Sequence, residues 1–145
     1  WWTPQTLEQF HERARALVDH YNTFAPYPDA HVNGRQTIGE NIADLSGVLL
    51  AYRAYHLYLA DHPEAQQVSR DGLTGDQRFF AAWAQAWRYK GPESAIRHII
   101  KYNYHAPAQF RVNGVMQNID EWYTAFDVKP DDKMYIEPEK RVRIW

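Results

Sequence analysis

"TIGENIADLSG", residues 37–47, places two carboxylates, Glu40 and Asp44, four residues apart. Four residues is about one helical turn, so both acids project from one face of a helix. Around them stand Ile38, Ile42, Ala43, Leu45, Val48, Leu49 and Leu50. A helix from about Thr37 to Leu59 is therefore predicted, apolar nearly all round, the pattern of a buried central helix. Like charges at this spacing repel, and burying an unpaired carboxylate costs several kcal/mol. The stretch needs a positive partner. Three kinds satisfy the requirement: a buried Arg or Lys, the positive end of the helix itself at only ~0.3–1 kcal/mol, or a metal ion.

Outward from this helix, the rest of the chain also reads as helical. "TPQTLEQFHERARALVDHY" has Thr3 as N-cap, Pro4 at the first helical position, and Leu7, Phe10, Ala14, Leu17, Val18 and Tyr21 at helical spacing. "APYPDAHVNGR" is a loop or short extended segment, and "ADHPEAQQVSRDG" a polar break. "LTGDQRFFAAWAQAWRY" is a helix opened by a Thr74/Gln77 capping box, with Phe79, Phe80, Trp83 and Trp87 on a wide apolar face. Gly91-Pro92 separates it from a short helix, Glu93 to about Tyr102. "HAPAQFRVNGVMQN" is predicted as loop and extended chain. Asn118 is predicted to cap a helix through Phe126, with Glu121 at the capping-box position, and the tail beyond Pro130 is irregular. No internal repeat or low-complexity segment interrupts this single, mainly α domain.

The 145 residues suit one domain with a real core, and 45% are hydrophobic, which excludes a disordered chain. Six Trp, ten Tyr and six Phe make the core strongly aromatic. A formal net charge of −2 provides no basic field for nucleic acid or an anionic membrane. No apolar run approaches the ~20 residues of a membrane span. Without cysteine there is no disulfide framework and no thiolate metal site. The opening Trp1-Trp2, with no starting Met, leads to the expectation that the chain is a fragment.

The metal alternative requires more ligands. There are seven histidines, at positions 11, 20, 31, 56, 62, 98 and 105. The nearest approach to the metalloprotease pattern H-E-x-x-H is "HERAR", residues 11–15, where Arg15 replaces the second histidine and cannot bind a metal. On this reading His11 and Glu12 belong to a solvated helix face, and the chain does not build a catalytic zinc site alone.

"HVNGRQTIGENIADLSGVLLAYRAY" resembles the third-ligand segment of the neprilysin family of zinc endopeptidases (gluzincins), which includes the endothelin-converting enzymes and bacterial PepO-type peptidases. "HAPAQFRVNGVMQN" is similar to the family's H-x-P-x-x-x-R segment, and "FFAAWAQAW", "PEKRVRIW" and the opening "WWT" match further landmarks in order. The resemblance implies that residues 1–145 are the helical C-terminal part of a thermolysin-like catalytic domain with little strand. It implies one Zn²⁺, with Glu40 as third ligand and two histidines supplied by an upstream H-E-x-x-H helix. Asp44 would orient one of those histidines, His105 would donate to the oxyanion, and Arg111 would grip a substrate carbonyl. It further implies a peptide substrate, the N-terminal remainder of the protein as partner, and a periplasmic or extracellular location.

The chain departs from the family pattern at Asn103, where an Asp is usual, and at Val142, where many animal members have a cysteine. The H-E-x-x-H helix and the N-A-[YF] segment are not in these residues. The fragment alone is therefore expected to be inactive and, with normally covered surface exposed, prone to self-association. A different class of function stays open at this point: a non-catalytic helical interaction module using "FFAAWAQAW" as a partner-binding face. For the latter stripe, core packing is the competing reading.

Overall fold

The computed structural model describes residues 1–66 and 71–145. Its helices are α1 (Pro4–Asn22), α2 (Gly34–Asp61), α3 (Pro63–Gln66), α4 (Gly75–Ala86), α5 (Glu93–Tyr102), α6 (Ala108–Met116) and α7 (Asp120–Phe126), followed by a 3₁₀ turn at Pro138–Lys140. Among the described residues there is no strand, only an isolated bridge between Tyr27 and Ala30. The mainly α expectation holds. The polar break contains the single-turn α3, and its positions 67–70 lie outside the described residues.

Helix starts follow local chemistry. Thr3 Oγ1 accepts from the Thr6 N–H at 3.1 Å, and Pro4 begins α1. Thr74 and Gln77 form the reciprocal capping box at 3.2 and 3.0 Å. α2 begins earlier than predicted, because Asn33 Oδ1 caps it through the Gln36 N–H at 3.1 Å. Gly34 then lets α2 close onto α1: a Cβ there would stand 2.2 Å from the Val18 carbonyl oxygen.

Two predictions fail in the C-terminal third. "HAPAQFRVNGVMQN" is not loop and extended chain, since its centre forms α6. Pro107 suits the helix start, and Gly114 fits where a Cβ would lie 2.7 Å from Tyr21 Cζ. Asn118 does not cap α7, whose N-cap is Ile119 with no side-chain hydrogen bond. Asn118 instead donates from Nδ2 to Gly114 O and accepts at Oδ1 from the Val142 N–H, both at 2.7 Å.

The core gathers Leu17 and Tyr21 of α1, Leu45 and Val48 of α2, Phe80 of α4, Phe110 and Val115 of α6, and Val142 and Ile144 of the tail. Each such side chain contributes about 1.5–3 kcal/mol on full burial. α1 lies along α2, while α6 packs on α1, α2 and α4. The aromatic stripe of α4 is core, with Phe80 2% exposed and Phe79 and Trp83 packed against the cluster. α2 is less enclosed than predicted. It buries Asn41, Asp44, Leu45 and Val48 but leaves Leu50 and Leu57 68% and 63% exposed on its other side. This arrangement sets the N-terminal half of α2 against α6, and there the conspicuous polar residues meet.

Candidate active site

α2 holds Glu40 and Asp44 one turn apart, and the fold gives them different partners. Asp44 is nearly buried and faces α6, where Arg111 grips it with a fork. Arg111 Nε donates to Oδ2 and Nη2 to Oδ1, each at 2.6 Å. A charge-assisted bidentate pair of this kind compensates a buried carboxylate. Of the three partners open to the sequence, Asp44 therefore has the buried arginine. Each carboxylate oxygen keeps a further lone pair.

Glu40 is more open, its side chain 38% exposed. Its Oε2 lies 3.0 Å from His105 Nε2 and 4.0 Å from Arg111 Nη2. His105 is held by Asn103, whose Oδ1 accepts from both the His105 backbone N–H and Nδ1, each at 2.9 Å. The backbone contact fixes which face of the amide is oxygen, so Nδ1 is the donor and Nε2 is the atom aimed at Glu40. Gln36, one turn before Glu40, donates to the Asn103 carbonyl at 2.7 Å and ties this loop to α2. All four predicted site residues, Glu40, Asp44, His105 and Arg111, thus share one corner between α2 and the start of α6.

Two residues of this corner were not assigned to it from sequence. The Trp87 ring lies flat beneath the Arg111 guanidinium, 3.7 Å from carbon to ring centre. Trp83 Nε1 donates to the Arg111 carbonyl at 3.2 Å. Both belong to the wide apolar face that the sequence predicts for this helix. Their spacing of four residues places them on one face of α4, but no signal in the sequence links that face to Arg111. A cavity of about 440 Å³ opens beside them, lined by Trp87, Tyr89, Ile99, His105, Ala106 and Arg111.

Below the corner, Tyr21 is fully buried with its hydroxyl unpartnered. Burial raises its pKa well above the ordinary phenol value, and the neighbouring Asp44 adds to the shift. The floor of the site is therefore neutral at any physiological pH.

Zinc was tested against these donors. Glu40 fits a carboxylate ligand: it is accessible, sits on a long helix, and has no forked partner of its own. Among the described residues, no group of three His, Asp or Glu side chains could hold a metal ion. The chain supplies one donor, and a catalytic set requires others.

The sequence matches the profile of peptidase family M13 over residues 1–142. The chain belongs to peptidase family M13. This M13 chain is 36% identical over 145 residues to a neutral endopeptidase of Lactobacillus helveticus and 38% identical over 149 residues to human neprilysin. Both alignments cover the whole chain, but only 20% and 19% of those relatives. A zinc metalloprotease of Mycobacterium tuberculosis, Zmp1, solved with an inhibitor, superposes with a TM-score of 0.94 at 42% identity, covering 100% of this chain and 22% of that one. PepO from Lactobacillus rhamnosis gives 0.75 at 32% identity, over 98% of this chain and 20% of that one. The M13 chain thus spans about a fifth of the length of these relatives.

Proposed function

We propose that the protein carrying this chain is a zinc-dependent endopeptidase that hydrolyses short peptides, and that residues 1–145 form the C-terminal part of its catalytic domain. The observation that carries this reading is the convergence of Glu40 on His105 and Arg111, two residues that line one cavity, with Glu40 open to a further ligand. Membership of a family whose relatives include enzymes named as endopeptidases and zinc metalloproteases supports it.

In this reading Glu40 is the carboxylate ligand of one Zn²⁺, and two histidines come from a segment outside this chain. Bound zinc supplies Lewis-acid polarisation of the scissile carbonyl and a water of lowered pKa. This chain's own residues bind and orient. Asp44 fixes Arg111 by the fork and has lone pairs left to orient a zinc-bound histidine. Arg111 has five N–H donors and gives two to Asp44, which leaves donors facing the cavity for a substrate backbone carbonyl. His105 donates from Nδ1 to Asn103, so its Nε2 donates to the developing oxyanion in the doubly protonated imidazolium form. Neutral Asn103 orients this ring without adding charge.

The isolated chain is proposed to be inactive, and EDTA-sensitive peptide hydrolysis by the purified 145-residue piece would overturn that. A periplasmic or extracellular location is proposed by likeness to the family; among the described residues no helix is long and apolar enough to cross a membrane. Against the interaction-module reading, Phe80 of its proposed surface is buried and Phe79 and Trp83 pack on the core, which leaves Trp87 beside the cavity. The test is Glu40→Ala in the whole protein. Zinc retained after dialysis and peptide turnover should both fall to background, and unchanged zinc content would remove the ligand assignment.

A further inference from the structure

We infer that Trp83 of α4 and Trp87, the residue that caps α4, are positioning residues for Arg111, and that this end of α4 thereby sets how tightly the site holds its substrate. The inference rests on the role proposed for Arg111 and adds what aims that residue.

Asp44 holds the guanidinium along one edge. A fork in one plane still lets the group pivot about that edge, and Trp87 blocks the pivot by lying 3.7 Å under its face. The backbone end is fixed separately, by Trp83 Nε1 on the Arg111 carbonyl. That carbonyl belongs to the second turn of α6, so the bond ties α6 to α4 at the residue that carries the guanidinium. The two indoles brace each other edge-to-face at 5.7 Å and 67°. Trp83 packs against the core and is not among the residues lining the 440 Å³ cavity. Its influence on a bound peptide therefore has to pass through Arg111 or through Trp87, which it braces. Trp87 lines the cavity as well, and the Nε1 of its indole is buried without a partner. Its ring face, and not its N–H, is the working part.

The experiment is a double-mutant cycle in the whole zinc-loaded protein, read with a fluorogenic peptide. Trp83→Phe keeps an aromatic ring and deletes only the hydrogen bond. Trp87→Phe keeps the ring face, and Trp87→Leu removes it. Trp87→Leu should raise KM by about tenfold with a smaller change in kcat, and Trp87→Phe should recover most of it. Trp83→Phe should raise KM about threefold. In an Arg111→Met background neither change should add a further loss, because the group being positioned is gone. Losses that multiply with Arg111→Met, or an unchanged KM in both Trp83→Phe and Trp87→Leu, would overturn the inference while leaving Arg111 in place. Unchanged kinetics in Arg111→Met alone would instead remove the assignment of Arg111, and the positioning role with it. Zinc content and the unfolding midpoint of each variant separate these outcomes from a failure to fold.

Discussion

Two arginines in this molecule are built almost alike, yet they serve different ends. Arg111 pairs with Asp44 and lies 3.7 Å over Trp87; Arg141 pairs with Asp120 and lies 3.5 Å over Tyr123. Both side chains are about nine-tenths buried. Arg141 also donates from Nε to the Ile136 carbonyl, and Arg143 joins it on Asp120, so this second cluster knits the tail to α7. Arg111 gives two donors to Asp44 and stands 4.0 Å from Glu40, which in turn lies 3.0 Å from His105. An arginine stacked on an aromatic ring and paired with an acid is therefore no mark of a site by itself. What sets Arg111 apart is the second acid and the histidine beside it, Glu40 and His105.

The largest effect expected from breaking this comparison is at Asp44. Asp44→Ala leaves the Arg111 charge buried without its counter-ion and should cost about 3–5 kcal/mol in denaturant unfolding. Adding Arg111→Met should return part of that loss, because the stranded charge is removed as well. A single variant as stable as the parent protein would mean that Arg111 reaches water without Asp44.

Gly114→Ala probes the helix that carries Arg111. The new methyl would meet Tyr21 at 2.7–2.8 Å, so α6 has to lift or Tyr21 has to move, at about 1–3 kcal/mol. A loss of peptide affinity beyond the loss of stability would show that the seat of α6 also aims Arg111.

Asp120→Asn should have the smallest effect, about 1 kcal/mol or less, since that carboxylate is half exposed. Its partial burial opposes ionisation, but hydrogen bonds from Arg141 and Arg143 outweigh this and hold its carboxyl below the usual value. A carboxyl lowered by folding stabilises the fold in full above the unfolded pKa of ~3.9 and loses that contribution as pH falls through the folded value. The difference in stability between parent and Asp120→Asn should therefore shrink below about pH 4, and a constant gap across that range would remove this account.

The sequence made the helices legible wherever one turn of chain carries its own instruction. Thr3-Pro4 and the Thr74/Gln77 box started α1 and α4 as read. α6 escaped because Pro107, Asn113 and Gly114 all signal a break locally, and tertiary packing overrides them: Gly114 is the surface on which Tyr21 sits. Asn118 looked like a cap because caps and long-range staples use the same amide, and only the folded tail, 24 residues on, distinguishes them. Glu40 and Asp44 announced a charge problem through spacing alone. Their answer in this chain, Arg111 and His105, lies more than 60 residues away, a distance that periodicity does not span. Family likeness, carried for His105 and Arg111 by "HAPAQFRVNGVMQN", is what links them to Glu40 and Asp44 in the sequence.

The segment from Arg141 to Trp145 has a further consequence, for the order in which this molecule is made. Arg13, in α1, donates to the Ile144 carbonyl across 131 residues of sequence, and the Trp2 and Trp145 rings meet edge-to-face at 6.0 Å. At about 5–20 residues per second, a ribosome takes roughly ten seconds to deliver the partner after α1 has emerged. During that interval α2 covers most of the first helix but the Trp2 and Phe10 end stands open, and chaperone occupancy there on a stalled nascent chain should fall only once the last of these residues has cleared the exit tunnel.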